Sequence, residues 1–216
     1  QWHDMGKTPA IGGPAGTASR AILGRWLIDL SWASSHLEGN TYSRLDTREL
    51  IEHGKAARGK GAIETQMILN HKTAIELLVE NIDSAEFNRY TLMNLHSALA
   101  ENLLPNPADE GRIRQHAVDI SKSIYRPLST AQQIEEVLDE VLSKANQIHD
   151  PFEQSFFMMV HLPYLQPFAD INKRTSRLAA NLPLFRGNLC PLTFLDVPEQ
   201  AYSRATLGVY EMARIE

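Results

Sequence analysis

The chain has 216 residues, of which 43% are hydrophobic and 22% charged, and its formal net charge is −5. This balance is typical of a protein that buries a full core without metal or disulfide support, and the negative charge provides no overall field for nucleic acid. No apolar run reaches the length of a membrane span, and the single cysteine, Cys190, excludes an intrachain disulfide and fits a reducing cytoplasm. The apolar neighbours of Cys190 predict a small core residue.

The N-terminal part of the chain divides into an arm and a helix. Residues 1–18 are polar and rich in glycine and proline, which predicts a flexible arm, and the absence of an initial methionine leads us to expect a longer parent protein. Apolar residues then recur at helical spacing through Ile22, Trp26 and Leu30. A first amphipathic helix is therefore predicted at about residues 19–38.

Helical periodicity dominates the rest of the chain, which predicts one all-α domain over residues 19–216. Ser84 is a predicted N-cap, and Ser129-Thr130 and Pro151 are predicted helix starts. The expected helices begin near Leu50, Ala62, Ser84, Thr130, Pro151, Ile171 and Pro198.

One segment alternates apolar and polar residues in part and is predicted to be the single small β-hairpin. It covers residues 117–125, ends shortly before Pro127, and carries Val118, Ile120, Ile124 and Tyr125. The predicted fold class is therefore all-α with one hairpin.

Residues 166–177, with the sequence QPFADINKRTSR, combine one carboxylate, one amide and three cations between two predicted helices. The N–H groups at a helix start bind anions, and the helix dipole assists them. Arg174 and Arg177 share a helix face and can grip successive phosphates, while Asp170 can hold Mg²⁺. Spacing alone equally allows a loop of solvated charges.

This segment resembles the motif of the Fic family, His-Pro-Phe-x-(Asp/Glu)-Gly-Asn-Gly-Arg-x-x-Arg. Three positions depart from it, because Gln166 stands for the histidine, Ile171 for the first glycine and Lys173 for the second. The positions that match in register are Pro167, Phe168, Asp170, Asn172, Arg174 and Arg177.

Two further features carry the resemblance beyond this loop. Residues 34–39 are similar to the family's inhibitory motif, (Ser/Thr)-x-x-x-Glu-(Gly/Asn), with Ser34 and Glu38 one helical turn apart. The predicted hairpin lies where the family has a flap that holds a target segment by strand pairing. The resemblance implies a Fic-type helical domain in which the inhibitory Glu38 pairs with Arg177.

The resemblance also implies an activity, the transfer of AMP from ATP to a hydroxyl group of a target protein. Gln166 occupies the position of the family's base, and Asn172 and Arg174 match its catalytic positions that contact phosphate. Arg177 matches the γ-phosphate contact, with Lys173 as an added cation. Asp170 matches the Mg²⁺ ligand. The implied partners are ATP, Mg²⁺ and a target segment docked on the flap.

The three departures change the expected chemistry. An amide has no useful basicity at neutral pH, so Gln166 cannot act as a base. Side chains at Ile171 and Lys173 are expected to crowd the phosphates, although the charge of Lys173 offsets this in part. His161 is offset from the face of Gln166 and is predicted to be packed or at the surface. His96 is predicted to be a core residue, and His116 and His149 have no motif support.

Three functional hypotheses follow. The first is a cytoplasmic, bacterial Fic-family protein that binds a nucleotide and transfers AMP poorly. The second is an active nucleotidyl or phosphoryl transferase that uses another proton acceptor. The third is an interaction module that binds a peptide on its flap without a nucleotide. An apolar helical surface also suggests a homodimer, and nucleic acid is not expected to bind this chain.

Overall fold

The computed structural model describes residues 17–212, and side chains from Ile22 onward. Within that range the ordered secondary structure is helical and there is no β-strand, which confirms the all-α class. The helices are α1 (Thr17–His36), α2 (Arg44–His53), α3 (Ala62–Glu80), α4 (Arg89–Ala100), α5 (Ala131–Gln147), α6 (Pro151–Leu165), α7 (Asn172–Ala179), α8 (Leu182–Arg186) and α9 (Glu199–Met212), with a 3₁₀ turn at Pro107–Asp109.

Side-chain caps explain where several helices begin. Ser43 accepts a hydrogen bond from the backbone N–H of Asp46 at the start of α2, and Asp150 accepts from two N–H groups at the start of α6. The predicted cap at Ser84 is wrong, because Asn88 caps α4 through the N–H of Thr91. Ser84 therefore ends the turn at residues 81–84, and an irregular stretch separates it from α4.

The core brings α1 and α7 to the same side of the molecule. Trp26 of α1 meets the ring of Phe185 edge to face, with ring centroids 4.7 Å apart. Leu30 of α1 and Leu178 of α7 belong to the same buried hydrophobic cluster. This packing places the C-terminal turn of α1 beside α7, where the motif cations lie.

The predicted hairpin at residues 117–125, here called the flap segment, is not formed. It makes a turn in which the N–H of Ser123 donates to the carbonyl of Ile120 over 3.1 Å, with Lys122 at φ 64°. The Tyr125 hydroxyl anchors the segment to α6 by donating to the Tyr164 carbonyl over 3.1 Å, whereas Arg126 and Asp119 form an exposed ion pair that contributes little. The alternating pattern therefore belongs to a loop with a turn at its centre.

Expectations for the arm, for Cys190 and for the helix at Ile171 compare with the structure as follows. Residues 1–16 of the predicted arm lie outside the described residues. Cys190 is exposed and not a core residue, because it follows the chain reversal after α8. The segment predicted as one helix from Ile171 is split into α7 and α8. No helix in the described range is long and apolar enough to cross a membrane.

Candidate phosphate-binding site

The loop between α6 and α7 begins and ends on residues in the left-handed region, Gln166 at φ 52° and Ile171 at φ 63°. A β-branched residue rarely adopts this conformation, because its Cβ clashes with the backbone. The Ile171 side chain is only 3% exposed and belongs to the main hydrophobic cluster, so its burial offsets the strain. The expectation that Ile171 crowds the phosphates is therefore wrong, since its side chain points into the core.

Asn172, the first residue of α7, holds the loop in shape. Its carboxamide oxygen accepts from the N–H of Phe168 over 3.0 Å, and its Nδ2 donates to the Phe168 carbonyl and to Gln166 Oε1. The side chain is 3% exposed and has no hydrogen to spare. The expected side-chain contact to phosphate is not supported by this geometry, and Asn172 instead orders the loop.

The Gln166 amide is fixed on both of its ends. Its oxygen accepts from Asn172 over 2.8 Å, and its Nε2 donates to the Pro163 carbonyl over 2.7 Å and to the Tyr210 hydroxyl over 3.2 Å. These contacts join α6, α7 and α9 at one point. Gln166 therefore has a structural role at the position where the motif has its histidine.

Arg177 and the C-terminal turn of α1 form a buried cluster. Glu38 Oε1 lies 2.7 Å from Arg177 Nη2, and its Oε2 lies 2.8 Å from the Nζ of Lys173. Arg177 is fully buried and also donates to the hydroxyl and carbonyl of Ser34. The pairing of Glu38 with Arg177 is thus present, and Lys173 contacts Glu38 rather than standing free for phosphate.

The electrostatics of this cluster favour the charged forms. Burial alone would raise the pKa of the Glu38 carboxyl, but Arg177 and Lys173 together hold it below its usual value. Burial likewise opposes the charge on Arg177, and Tyr202 and Glu38 reverse that effect and raise its pKa. Glu38 is therefore an anion held by two cations at the start of α7.

Arg174 is the exception to this pairing. Its side chain is 8% exposed, and its Nη1 is buried without a hydrogen-bond partner among the described residues. Burial lowers the pKa of this guanidinium. An orphaned donor on a buried cation is costly, and an anionic ligand beside the first turn of α7 would satisfy it.

Two buried histidines contact residues of the site, His71 at Ser34 and His96 at Phe168 and Asp170. His71 of α3 lies 2.9 Å from the Ser34 hydroxyl through Nε2, and burial, with a smaller effect of Arg174, lowers its pKa to about 3. His96 of α4 stacks on Phe168, lies 3.2 Å from the Asp170 carbonyl, and has its pKa lowered to about 4, chiefly by burial. Both imidazoles are therefore neutral in the folded protein.

These shifts predict that the protein loses stability in mild acid. The unfolded histidines take up protons near pH 6.5 and the folded ones do not, so the contribution is complete above that pH and declines as the pH falls. From pH 7 to 5.5 the two together should remove about 2.5 kcal/mol from the free energy of unfolding. Urea unfolding at both pH values measures this loss.

The matched variants are His71→Gln and, as a control, His53→Gln, whose side chain is 62% exposed. The first should roughly halve the loss between the two pH values and the second should leave it unchanged, because each buried imidazole contributes about equally. Equal stability of the unaltered protein at pH 7 and 5.5 would contradict the assignment of both histidines as neutral.

A cleft of about 770 Å³ opens in front of the loop. The flap segment forms one wall through Val118 and Ile120, whereas Ile124 points outward and is 84% exposed. The cleft is also lined by Glu38, His116, Gln166, Asp170, Lys173, Tyr202 and Tyr210.

The residues present fit one magnesium ion of the kind that nucleotides carry. Asp170 is exposed in the cleft, and its Oδ1 accepts from the N–H of Ile171. No group of three or more metal-ligating side chains occurs in the described part of the chain. Mg²⁺ commonly binds through one or two carboxylates together with substrate phosphates, and Asp170 suits that arrangement.

Two residues at the site, Tyr202 and His116, have no role in the predictions made from the sequence. Tyr202 of α9 accepts a hydrogen bond from Arg177 over 2.9 Å and lies under its guanidinium, and His116 lines the cleft. His161 packs on Phe157 and is absent from the cleft lining, as predicted. Nothing in the local pattern singles out Tyr202 or His116, since both reach the site from elements distant in the sequence.

Comparison with known proteins gives concordant matches. Residues 86–184 match the profile of the Fic/DOC family. The chain is 28% identical over 199 residues to protein adenylyltransferase fic-1 of Caenorhabditis elegans, covering 89% of this chain and 38% of that protein. It is also 28% identical over 186 residues to protein adenylyltransferase Fic of Nematostella vectensis, covering 83% and 42%. The chain thus spans about two fifths of these relatives, which are animal proteins and do not support the expected bacterial origin.

Solved structures share the fold. A variant of C. elegans Fic-1 superposes with a TM-score of 0.76 at 23% identity, over 99% of this chain and 63% of that one. A Fic domain containing signaling protein from Bacteroides thetaiotaomicron gives 0.74 at 16% identity, over 95% and 77%. At these identities the likeness establishes the architecture of the helices around the cleft.

Proposed function

Because residues 86–184 of this chain form a domain of the Fic/DOC family, we propose that its cleft binds the phosphates of a nucleotide, with ATP as the substrate class. AMP transfer to a protein hydroxyl is then impaired or altered, since Gln166 replaces the motif histidine. The observation that carries the proposal is the buried, unpartnered Nη1 of Arg174, which directly follows the cleft-lining residue Lys173 in the first turn of α7.

Each group at the helix start has a separate task. The first-turn N–H groups of α7 lack intrahelical partners and point at the anion, and the dipole adds to them. Arg174 supplies the unsatisfied donor, and Lys173 adds a positive charge that Glu38 holds in the free protein. A magnesium ion on Asp170 would neutralise phosphate charge. These effects bind and orient the nucleotide without requiring a base.

The step that the loop cannot perform is removal of the proton from the target hydroxyl. Both amide hydrogens of Gln166 and its oxygen are already engaged, so the side chain is fixed as well as non-basic. Loss of a positioned base typically lowers a rate by about 10²–10⁴-fold. The flap segment can still hold a target segment, because no strand partner within the described chain uses its backbone.

One observation favours a second candidate, an active transferase with a different proton acceptor. His116 is exposed at the cleft and is the one histidine among the lining residues of the described chain. Imidazole is the commonest general base near neutral pH. Transfer of label from α-labelled ATP by the unaltered protein, abolished in His116→Gln, would favour this candidate over the first.

Calorimetric titration with inorganic phosphate, AMP, ADP and ATP, with and without Mg²⁺, tests the binding proposal. We expect weak binding that falls at least about tenfold in Arg174→Gln, since one charge-assisted hydrogen bond contributes about 1.5–3 kcal/mol. The thermal stability of this variant should not fall, because the replaced charge is unpaired in the free protein.

Arg186→Gln is the matched control, because Arg186 is exposed on α8 and should leave affinity unchanged. Absence of both heat and thermal shift at millimolar nucleotide would contradict nucleotide binding. That outcome would leave the peptide-binding module as the better account of the cleft.

A further inference from the structure

Arg114 is a fully buried arginine between the flap segment and the motif loop. It forms no ion pair with a carboxylate among the described residues. Its contacts are instead with three main-chain carbonyl groups, two of which lie on either side of the flap segment and one in the motif loop.

The contacts divide between two structural units. On the loop side, Nε donates to the Gln166 carbonyl over 2.7 Å and the backbone N–H donates to the Pro167 carbonyl over 3.0 Å. On the flap side, Nη1 donates to the carbonyl of His116 over 2.7 Å and Nη2 to that of Leu128 over 2.5 Å. One guanidinium therefore joins both ends of the flap segment to the start of the loop.

This arrangement is energetically demanding. Burial lowers the pKa of Arg114, which shows that the charge is opposed by its surroundings. A buried cation is tolerated only when its donors are satisfied, and three carbonyls bound by three different nitrogens require the rigid fork of arginine rather than a lysine ammonium. The Arg114 guanidinium therefore sets the relative positions of the segments whose carbonyl groups it binds.

We propose that Arg114 is a positioning residue that fixes the flap segment relative to the phosphate-binding loop. The proposal deepens the proposed function, because it states how a target segment on the flap is brought to the nucleotide. Since His116 and Leu128 bracket the flap and both bind one guanidinium, the flap base cannot move away from Gln166 without breaking charged hydrogen bonds.

A general contribution to the core is the alternative to this role. It predicts that loss of Arg114 weakens the whole site, including the helix start that binds phosphate. A positioning role predicts a split, because Asn172 orders the start of α7 independently of Arg114. Flap order should then be lost while affinity for a small anion is kept.

The experiment compares Arg114→Gln and Arg114→Lys with Arg126→Gln, which removes the same charge from an exposed pair in the flap region. Hydrogen exchange of residues 117–127 and calorimetry with inorganic phosphate are the two readouts. In Arg114→Gln we expect flap exchange to rise about tenfold or more while phosphate affinity stays within about threefold. Lysine should rescue flap protection in part, and Arg126→Gln should resemble the unaltered protein.

Unchanged flap exchange in a folded Arg114→Gln variant would overturn the proposal, as would parallel losses of flap protection and phosphate affinity. If neither Arg114 variant folds, the guanidinium NMR signals of the unaltered protein test whether the Arg114 side chain is held in one orientation. Separate, slowly exchanging Nη–H signals support the fixed fork, and a freely rotating guanidinium contradicts it. If the unaltered protein fails to bind phosphate, the proposed function fails while the flap readout still tests Arg114.

Discussion

Glu38→Gly is expected to tighten ATP binding by about tenfold or more and to change AMP affinity by less than about threefold. Glu38 holds both Arg177 and Lys173, so its removal should free two cations for the additional phosphates that ATP carries and AMP lacks. The carboxylate is 17% exposed, so the interaction is only partly screened. Calorimetry with both nucleotides measures the difference.

The same change should lower the free energy of unfolding by about 1–3 kcal/mol, because Arg177 stays buried with only Ser34 and Tyr202 as partners. ATP should restore part of this loss. Glu38→Gln keeps the shape and removes the charge, and Glu86→Gly makes the same substitution in an exposed loop. Equal gains for ATP and AMP would show that Glu38 does not control access to a terminal phosphate.

Gln166→His, combined with Glu38→Gly and Lys173→Gly, is expected to raise transfer of label from α-labelled ATP by about 10²–10⁴-fold. The histidine supplies a base, and the two glycines release Arg177 and open the helix start. Groups that act as a unit are strongly non-additive, so Gln166→His alone should show little. Ile171 is kept, because its buried side chain stabilises the left-handed turn.

The control for this experiment is Gln166→Asn in the same background, which disturbs the contacts to Asn172 and Tyr210 but provides no base. Both proteins should bind ATP. Equal transfer by the histidine and asparagine variants, onto themselves and onto lysate proteins, would refute the lost-base account. Transfer by the unaltered protein would instead favour His116 as the proton acceptor.

The helical architecture and the phosphate-binding loop could be predicted from the sequence because their signals are local. Apolar spacing identifies a helix within two turns, and residues 166–177 carry the matching loop residues consecutively. The contact of Glu38 with Arg177 was also predictable, through the resemblance of residues 34–39 to an inhibitory motif.

Tertiary structure alone decided the conformation of the flap segment and the roles of the loop residues. Alternation over residues 117–125 is compatible with a strand, but the chain turns between Ile120 and Ser123, and contacts of Arg114 and Tyr125 tie the segment to the motif loop and to α6. Likewise, the glycine position at 171 accepts isoleucine because the core lies beneath it. Such choices depend on which distant groups meet in three dimensions, and local spacing carries no information about them because each requires a partner tens of residues away.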